Sequence, residues 1–257
     1  MNRKVQVVVP GPGLYAGFRP EFLDFKRGIH VGNLEENERI TRILKLALEH
    51  RYGLAFITER WGRGVYWQWI GYLPKANRTA KPLSSGVSFG CSKFFLSVDR
   101  EEQLFKCGLQ VERGYVRAPR EARECQLRAD WDWHRLVKAL KPKSTMEREL
   151  MRLLDDGFLL HAGAWEAEPV YFSESNYPGM AKLRRRLETA PPNEWAGFQI
   201  FYAMRESEVR SATGVDLVES MLAVFLEVTP AMNLCMQVRL EQTGDAALDT
   251  GRTQPVD

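Results

Sequence analysis

No run of apolar residues in this chain approaches the roughly 20 that a membrane-crossing helix needs. The opening MNRKVQVVVPGPG carries an apolar stretch too short for a signal peptide, and its Pro-Gly content ends it at once. Cysteine is scarce. The four present, Cys91, Cys107, Cys125 and Cys235, are scattered with no CxxC pair, which excludes zinc-ribbon spacing and offers no disulfide framework. Free, buried thiols and a reducing compartment follow, so the sequence predicts a soluble cytoplasmic protein. Histidine is equally sparse, with His30, His50, His134 and His161 far apart. The phosphate loop, the dinucleotide glycine pattern, HExxH and the nucleophile elbow are all missing, so no cofactor is implied and no catalytic signature decides for or against an enzyme. Excess charge is missing too. The 36 basic and 33 acidic residues leave a net charge of +3, which points neither to nucleic acid nor to a membrane.

What is present is a globular composition. The 44% apolar content supports a buried core, and the 257 residues suit one elaborated domain or two closely joined lobes. The sequence reads as a single domain over residues 1–241, with lobes 1–111 and 129–241 separated by the charged stretch 112–128. The polar segment 242–257 reads as a flexible tail.

Most of the pattern lies between Leu54 and Val111, which reads as two consecutive β-hairpins. In the second, KFFLSV (residues 93–98) and QLFKCGLQV (residues 103–111) alternate with period two. A four-residue loop at Asp99–Glu102 would set Val98 opposite Gln103 and Leu96 opposite Phe105. One face then collects Phe94, Leu96, Val98, Phe105, Cys107, Leu109 and Val111, and the other Lys93, Phe95, Ser97, Leu104, Lys106 and Gln110. In the first hairpin, LAFITE leads to a turn at Arg60–Gly64 and then VYWQWIGYL. Val65, Trp67, Trp69 and Leu73 share one face, and Tyr66, Gln68, Ile70 and Tyr72 the other.

Around the hairpins the sequence predicts helices. The one over Glu35–Arg51 is capped by an Asn33/Glu36 box and faced by Ile40, Ile43, Leu44, Ala47 and Leu48. Others begin at Asp130, at Ser144 with Glu147, at Pro178, and at Thr213 with Asp216. The last ends or kinks at Pro230. Strands are expected at Lys4–Val9, Phe158–His161, Val170–Phe172 and Gly197–Met204, and a helical turn at Pro20–Arg27. The fold class is therefore α+β, a mostly antiparallel sheet covered by amphipathic helices.

Two functional readings follow. In the leading one the protein binds a protein partner or an anionic ligand on an aromatic and polar sheet face. Its contact residues are Arg60, Trp61, Arg63 and Tyr66 at the first hairpin tip, where arginines meet anionic groups and aromatic rings offer stacking faces. Such a tip also suits nucleic-acid bases and phosphates. The alternative is a metal-dependent phosphodiesterase using Asp99, Glu101, Glu102, Lys106 and Glu112. These residues lack the usual spacing of an acid and a lysine two apart on one strand, and Asp99–Glu102 reads most simply as a solvated turn. The basic run Lys182, Arg184, Arg185 and Arg186 spans most of a helix circumference and reads as a solvated face.

Overall fold

The computed structural model describes residues 15–79, 87–118, 127–165 and 170–243, with isolated residues 13, 83, 84, 120 and 124 besides. The strand expected at Lys4–Val9, Cys125 and nearly all of the 242–257 segment lie outside the described residues. The architecture is α+β, with an antiparallel sheet of nine strands and seven α-helices among the described residues.

The chain enters through a short 3-10 turn, Pro20–Phe22, where Pro fixes the first position. Two short strands follow, β1 (Leu23–Asp24) and β2 (Gly28–His30), so the helical turn expected over Pro20–Arg27 is confined to its first three residues. Helix α1 (Ile40–Tyr52) starts later than the Asn33/Glu36 pattern predicts. Asn33 takes a left-handed conformation (φ +56°), and Glu38 reaches back to the Glu35 amide, so residues 33–39 turn before the helix begins at the Arg39 cap. The left-handed Gly53 ends it.

The first hairpin is β3 (Phe56–Arg63) and β4 (Tyr66–Pro74), followed by α2 (Lys75–Thr79). A small ribbon of β5 (Leu83–Ser84) and β6 (Val87–Ser88) precedes the second hairpin, β7 (Ser92–Asp99) and β8 (Leu104–Arg113). Its faces are as the alternation predicts, but its register is displaced by two residues. Val98 pairs with Phe105, Leu96 with Cys107 and Ser92 with Val111. The Asp99 carboxylate accepts the amides of Glu101 and Glu102, and Gln103 adopts φ +55°, so the loop closes at residues 100–103. A slip of two leaves every side chain on its own face, and apolar alternation therefore cannot distinguish the two registers.

The second half supplies α3 (Asp132–Ala139), α4 (Thr145–Asp155), β9 (Leu159–Ala164), β10 (Tyr171–Phe172), α5 (Met180–Glu188), β11 (Ala196–Arg205), α6 (Glu206–Ser211) and α7 (Gly214–Cys235). The predicted caps at Ser144 and Thr213 both accept the expected backbone amide. Helix α7 runs through Pro230 to Cys235, because buried Ala231, Met232 and Cys235 extend its packed face beyond the proline. The sheet order is β1-β2-β4-β7-β8-β11-β9-β10, with β3 on the other side of β4. β11 pairs with β8 along its whole length and with β9 on its other edge.

One sheet face and the helices enclose the main core. At its centre Phe94 stacks on Phe225 of α7 (centroids 4.7 Å apart) and lies near Tyr52 and Phe56. No helix among the described residues is long and apolar enough to cross a membrane.

Candidate functional site

The first hairpin is tighter than its sequence predicts. Arg60–Arg63 belong to strand β3, and the turn is only Gly64–Val65, with Gly64 at φ +59°. Arg63 pairs with Tyr66, Gly62 with Trp67 and Trp61 with Trp69, so Gln68 stands opposite nothing, a β-bulge. Alternation along β3 places Thr58, Arg60 and Gly62 on one side and Glu59, Trp61 and Arg63 on the other. On β4 the extra residue separates two tryptophans that simple alternation puts together. Trp67 packs against the helix-side core, whereas Trp69 joins Phe95 and Phe201 on the reverse face. Gly62 permits the close crossing, since a Cβ there would stand 2.5 Å from Trp67 Cα.

The bulge brings Trp67 to Arg60, whose guanidinium lies 4.5 Å from the ring centroid. Trp67 Nε1 donates to the Gly64 carbonyl at 3.2 Å and holds the ring over the turn. Between this pair and the start of α1 lies a cleft of about 440 Å³. Arg39, Thr41, Arg42 and Lys45 form one wall, and Thr58, Glu59, Arg60 and Trp67 the other. Four cations therefore face one acid, and that acid is withdrawn. Glu59 is 4% exposed, accepting the Ser88 amide at 2.8 Å and Lys93 Nζ at 3.0 Å. Two further acids make only long ion pairs with these cations, Glu36 at 4.0 Å from Arg42 and Glu49 at 3.8 Å from Lys45, the latter also accepting the Phe56 amide at 2.9 Å. Arg39 is fixed by donation to the Leu34 carbonyl at 2.6 Å.

The helix end adds to the field. The first turn of α1 contains no acid, and its cap residue is Arg39, which makes no capping hydrogen bond. Cations at a helix N-terminus oppose the macrodipole, so this end carries positive charge where it reduces stability. A second hollow of about 250 Å³ adjoins the cleft, sharing Thr58 and Glu59 and adding Lys75 and Arg78 from α2.

No family model, curated protein or solved structure matches this chain. Its chemistry rests on its own residues.

Of the residues expected at the tip, Arg60 lines the cleft and the other three lie across the strand from it. Trp61 is 62% exposed, the most of any large hydrophobic side chain among the described residues. Arg63 is exposed opposite Tyr66, and Tyr66 stacks on His30 (4.8 Å, 19°) under the guanidinium of Arg27 (4.3 Å). Sequence reasoning missed Arg39, Arg42, Lys45 and Trp67. The three-residue spacing of the basic residues was a usable signal, because it places them on one stripe of α1 beside the apolar one. Nothing in the local sequence marks the bulge that turns Trp67.

The polar sheet face is engaged internally. Lys93 is fully buried and bonds Glu59, the Ser88 carbonyl (2.8 Å) and Glu112. Burial alone would depress its pKa, but the carboxylates of Glu112 and Glu59 outweigh burial and hold it raised. Burial raises the Glu112 carboxyl despite the Lys93 charge. Glu112 also accepts from Gln110 and from Trp195 Nε1, and Gln110 accepts from Trp69 Nε1 at 3.0 Å and from Gln199 at 2.8 Å.

Farther along, Lys106 Nζ donates to Asp99 (2.9 Å), Glu102 (2.6 Å) and Tyr171 (2.8 Å). Of the carboxylates considered for a metal, Asp99 and Glu102 are thus held by Lys106 and Glu112 by Lys93. Among the described residues no three of His, Cys, Asp and Glu are grouped to hold an ion. Cys107 and Cys235 are buried free thiols, and Cys91 is buried as well. Arg184 pairs with Glu188 at 3.0 Å, and Arg186 donates to the Ala162 carbonyl at 3.2 Å, so the basic run serves separate local contacts.

Proposed function

We propose that the protein is a binding protein that takes an anionic ligand in the cleft between α1 and the first hairpin. One observation carries this reading: Arg39, Arg42, Lys45 and Arg60 line one cleft with Trp67, on which Arg60 stacks, while the only lining acid turns inward to Lys93. The volume of about 440 Å³ falls within the usual range of small-ligand clefts. The aromatic and polar sheet face contributes indirectly, through the bonds that withdraw Glu59. Metal-dependent phosphodiester hydrolysis gains no support, because Asp99 and Glu102 are bound to Lys106 and Glu112 to Lys93.

Inorganic tripolyphosphate is a suitable probe. It should raise the melting temperature of the wild-type protein in a dose-dependent manner, and added salt should weaken the effect. The pair Arg42→Ala with Arg60→Ala should remove that rise. Both residues are exposed, so the melting temperature without ligand should move by no more than about 2 °C. An undiminished rise in the double variant would overturn the assignment.

A further inference from the structure

We infer that the anion is a single strand of nucleic acid, its phosphates in the cleft and a base stacked on Trp61. The inference rests on the cleft being an anion site and adds the class of ligand.

The first observation is that the charge is extended. The cleft and the second hollow adjoin along β3, and cations run from Arg42 and Lys45 past Arg60 to Lys75 and Arg78. A row of cations beside a strand matches an anion that repeats along a chain better than one isolated phosphate. The second observation is Trp61. It lies on the side of β3 opposite Arg60, is mostly exposed, and has no ring or cation stacked on it among the described residues. A large exposed ring on the same side as Arg63 offers a face that burial has not used. The third is the edge itself. β3 pairs only with β4 among the described residues, and β6 packs beside it at Glu59, so a flexible chain lying in the trough can turn a base over the edge beyond that contact onto Trp61.

A duplex does not fit this arrangement, because its bases are stacked inside and present no ring face. Arginine and lysine here address phosphates, and a tryptophan accepts any base, so recognition should be tolerant of sequence.

The test compares four fluorescein-labelled probes by anisotropy: a twelve-residue oligothymidylate, the same length of RNA, an abasic twelve-mer with the same phosphates, and the matching DNA duplex. The oligothymidylate should bind about tenfold or more tightly than the abasic strand, the scale of one stacked base. Engagement of three phosphates would give a slope of about −2 in log affinity against log salt. Trp61→Ala should reduce oligothymidylate binding to the abasic level and leave abasic binding unchanged. Trp61→Phe should restore most of the difference, which separates loss of a stacking face from a folding defect.

Equal binding of the abasic and thymidylate strands, unaffected by Trp61→Ala but abolished by Arg42→Ala with Arg60→Ala, would overturn the nucleic-acid inference and leave the anion cleft standing. Duplex binding as tight as single-strand binding would likewise overturn it. If neither these probes nor tripolyphosphate binds, both readings fail.

Discussion

Lys106 is nearly buried yet holds two carboxylates that are not, the side chains of Asp99 and Glu102 being 27% and 34% exposed. Burial would raise the Asp99 carboxyl, but hydrogen bonds from Lys106 and from the Glu102 amide bring it below its usual value. A carboxyl lowered on folding stabilises the protein above its unfolded pKa, and that stability is lost as pH falls through the folded value. Lys106→Met should therefore raise the Asp99 pKa, read by carboxyl NMR titration, and shift acid unfolding to higher pH. Because the partners are partly solvated, the loss at neutral pH should be about 1–3 kcal/mol, below that of a fully buried pair. An Asp99 titration unchanged by the substitution would show that the loop amides alone set its acidity.

Helix α1 sets stability against the proposed binding within one element. Its apolar stripe was legible because Ile40, Ile43, Leu44 and Leu48 recur at helical spacing, and all four are fully buried. Its start was not legible, since the acid-rich stretch before it imitates a capping box while the backbone turns at Asn33 instead. The first turn that results carries Arg42 at the positive end of the dipole. Arg42→Glu should stabilise the fold by about 0.3–1 kcal/mol, raise the melting temperature, and abolish tripolyphosphate binding. A drop in melting temperature would mean that the loose Arg42–Glu36 pair outweighs the dipole. The long C-terminal helix makes the opposite case. Its Thr213 cap was legible from four residues, but its passage through Pro230 depends on packing that no local pattern records.

At the scale of the whole molecule, the α+β class and the division of the second hairpin into an apolar and a polar face were readable from alternation alone. Of the proposed anion cleft, the sequence reading named only Arg60. Arg39, Thr41, Arg42 and Lys45 come from another element, and Trp67 from a strand whose alternation is broken by one unpaired residue. The polar face also resisted reading. Lys93, Glu59 and Glu112 come from three strands, and Lys93 reaches Glu59 across β4 at Gly71, where a Cβ would lie 3.2 Å from the lysine stem and 2.4 Å from the Trp69 ring. Only a residue without a side chain leaves that passage open.

The buried lysine has a consequence for how the chain finds its fold. Closing the second hairpin at Asp99–Glu102 keeps every apolar side chain inside, so a collapsing chain meets a competing state of similar hydrophobic content. In that state Lys93 would sit about 7 Å farther from Glu112, leaving the ammonium in the interior without that counter-charge. The ion cluster should therefore act as a proofreading step, penalising an error that burial tolerates. A variant with Glu59→Gln, Lys93→Met and Glu112→Gln retains side-chain acceptors but loses that penalty. It should fold into two slowly exchanging populations, visible as doubled amide resonances along β7 and β8, where the wild-type protein gives one set. A single set in the variant would assign the choice of pairing to the Asp99 loop, and the charges would then be passengers of a register already decided.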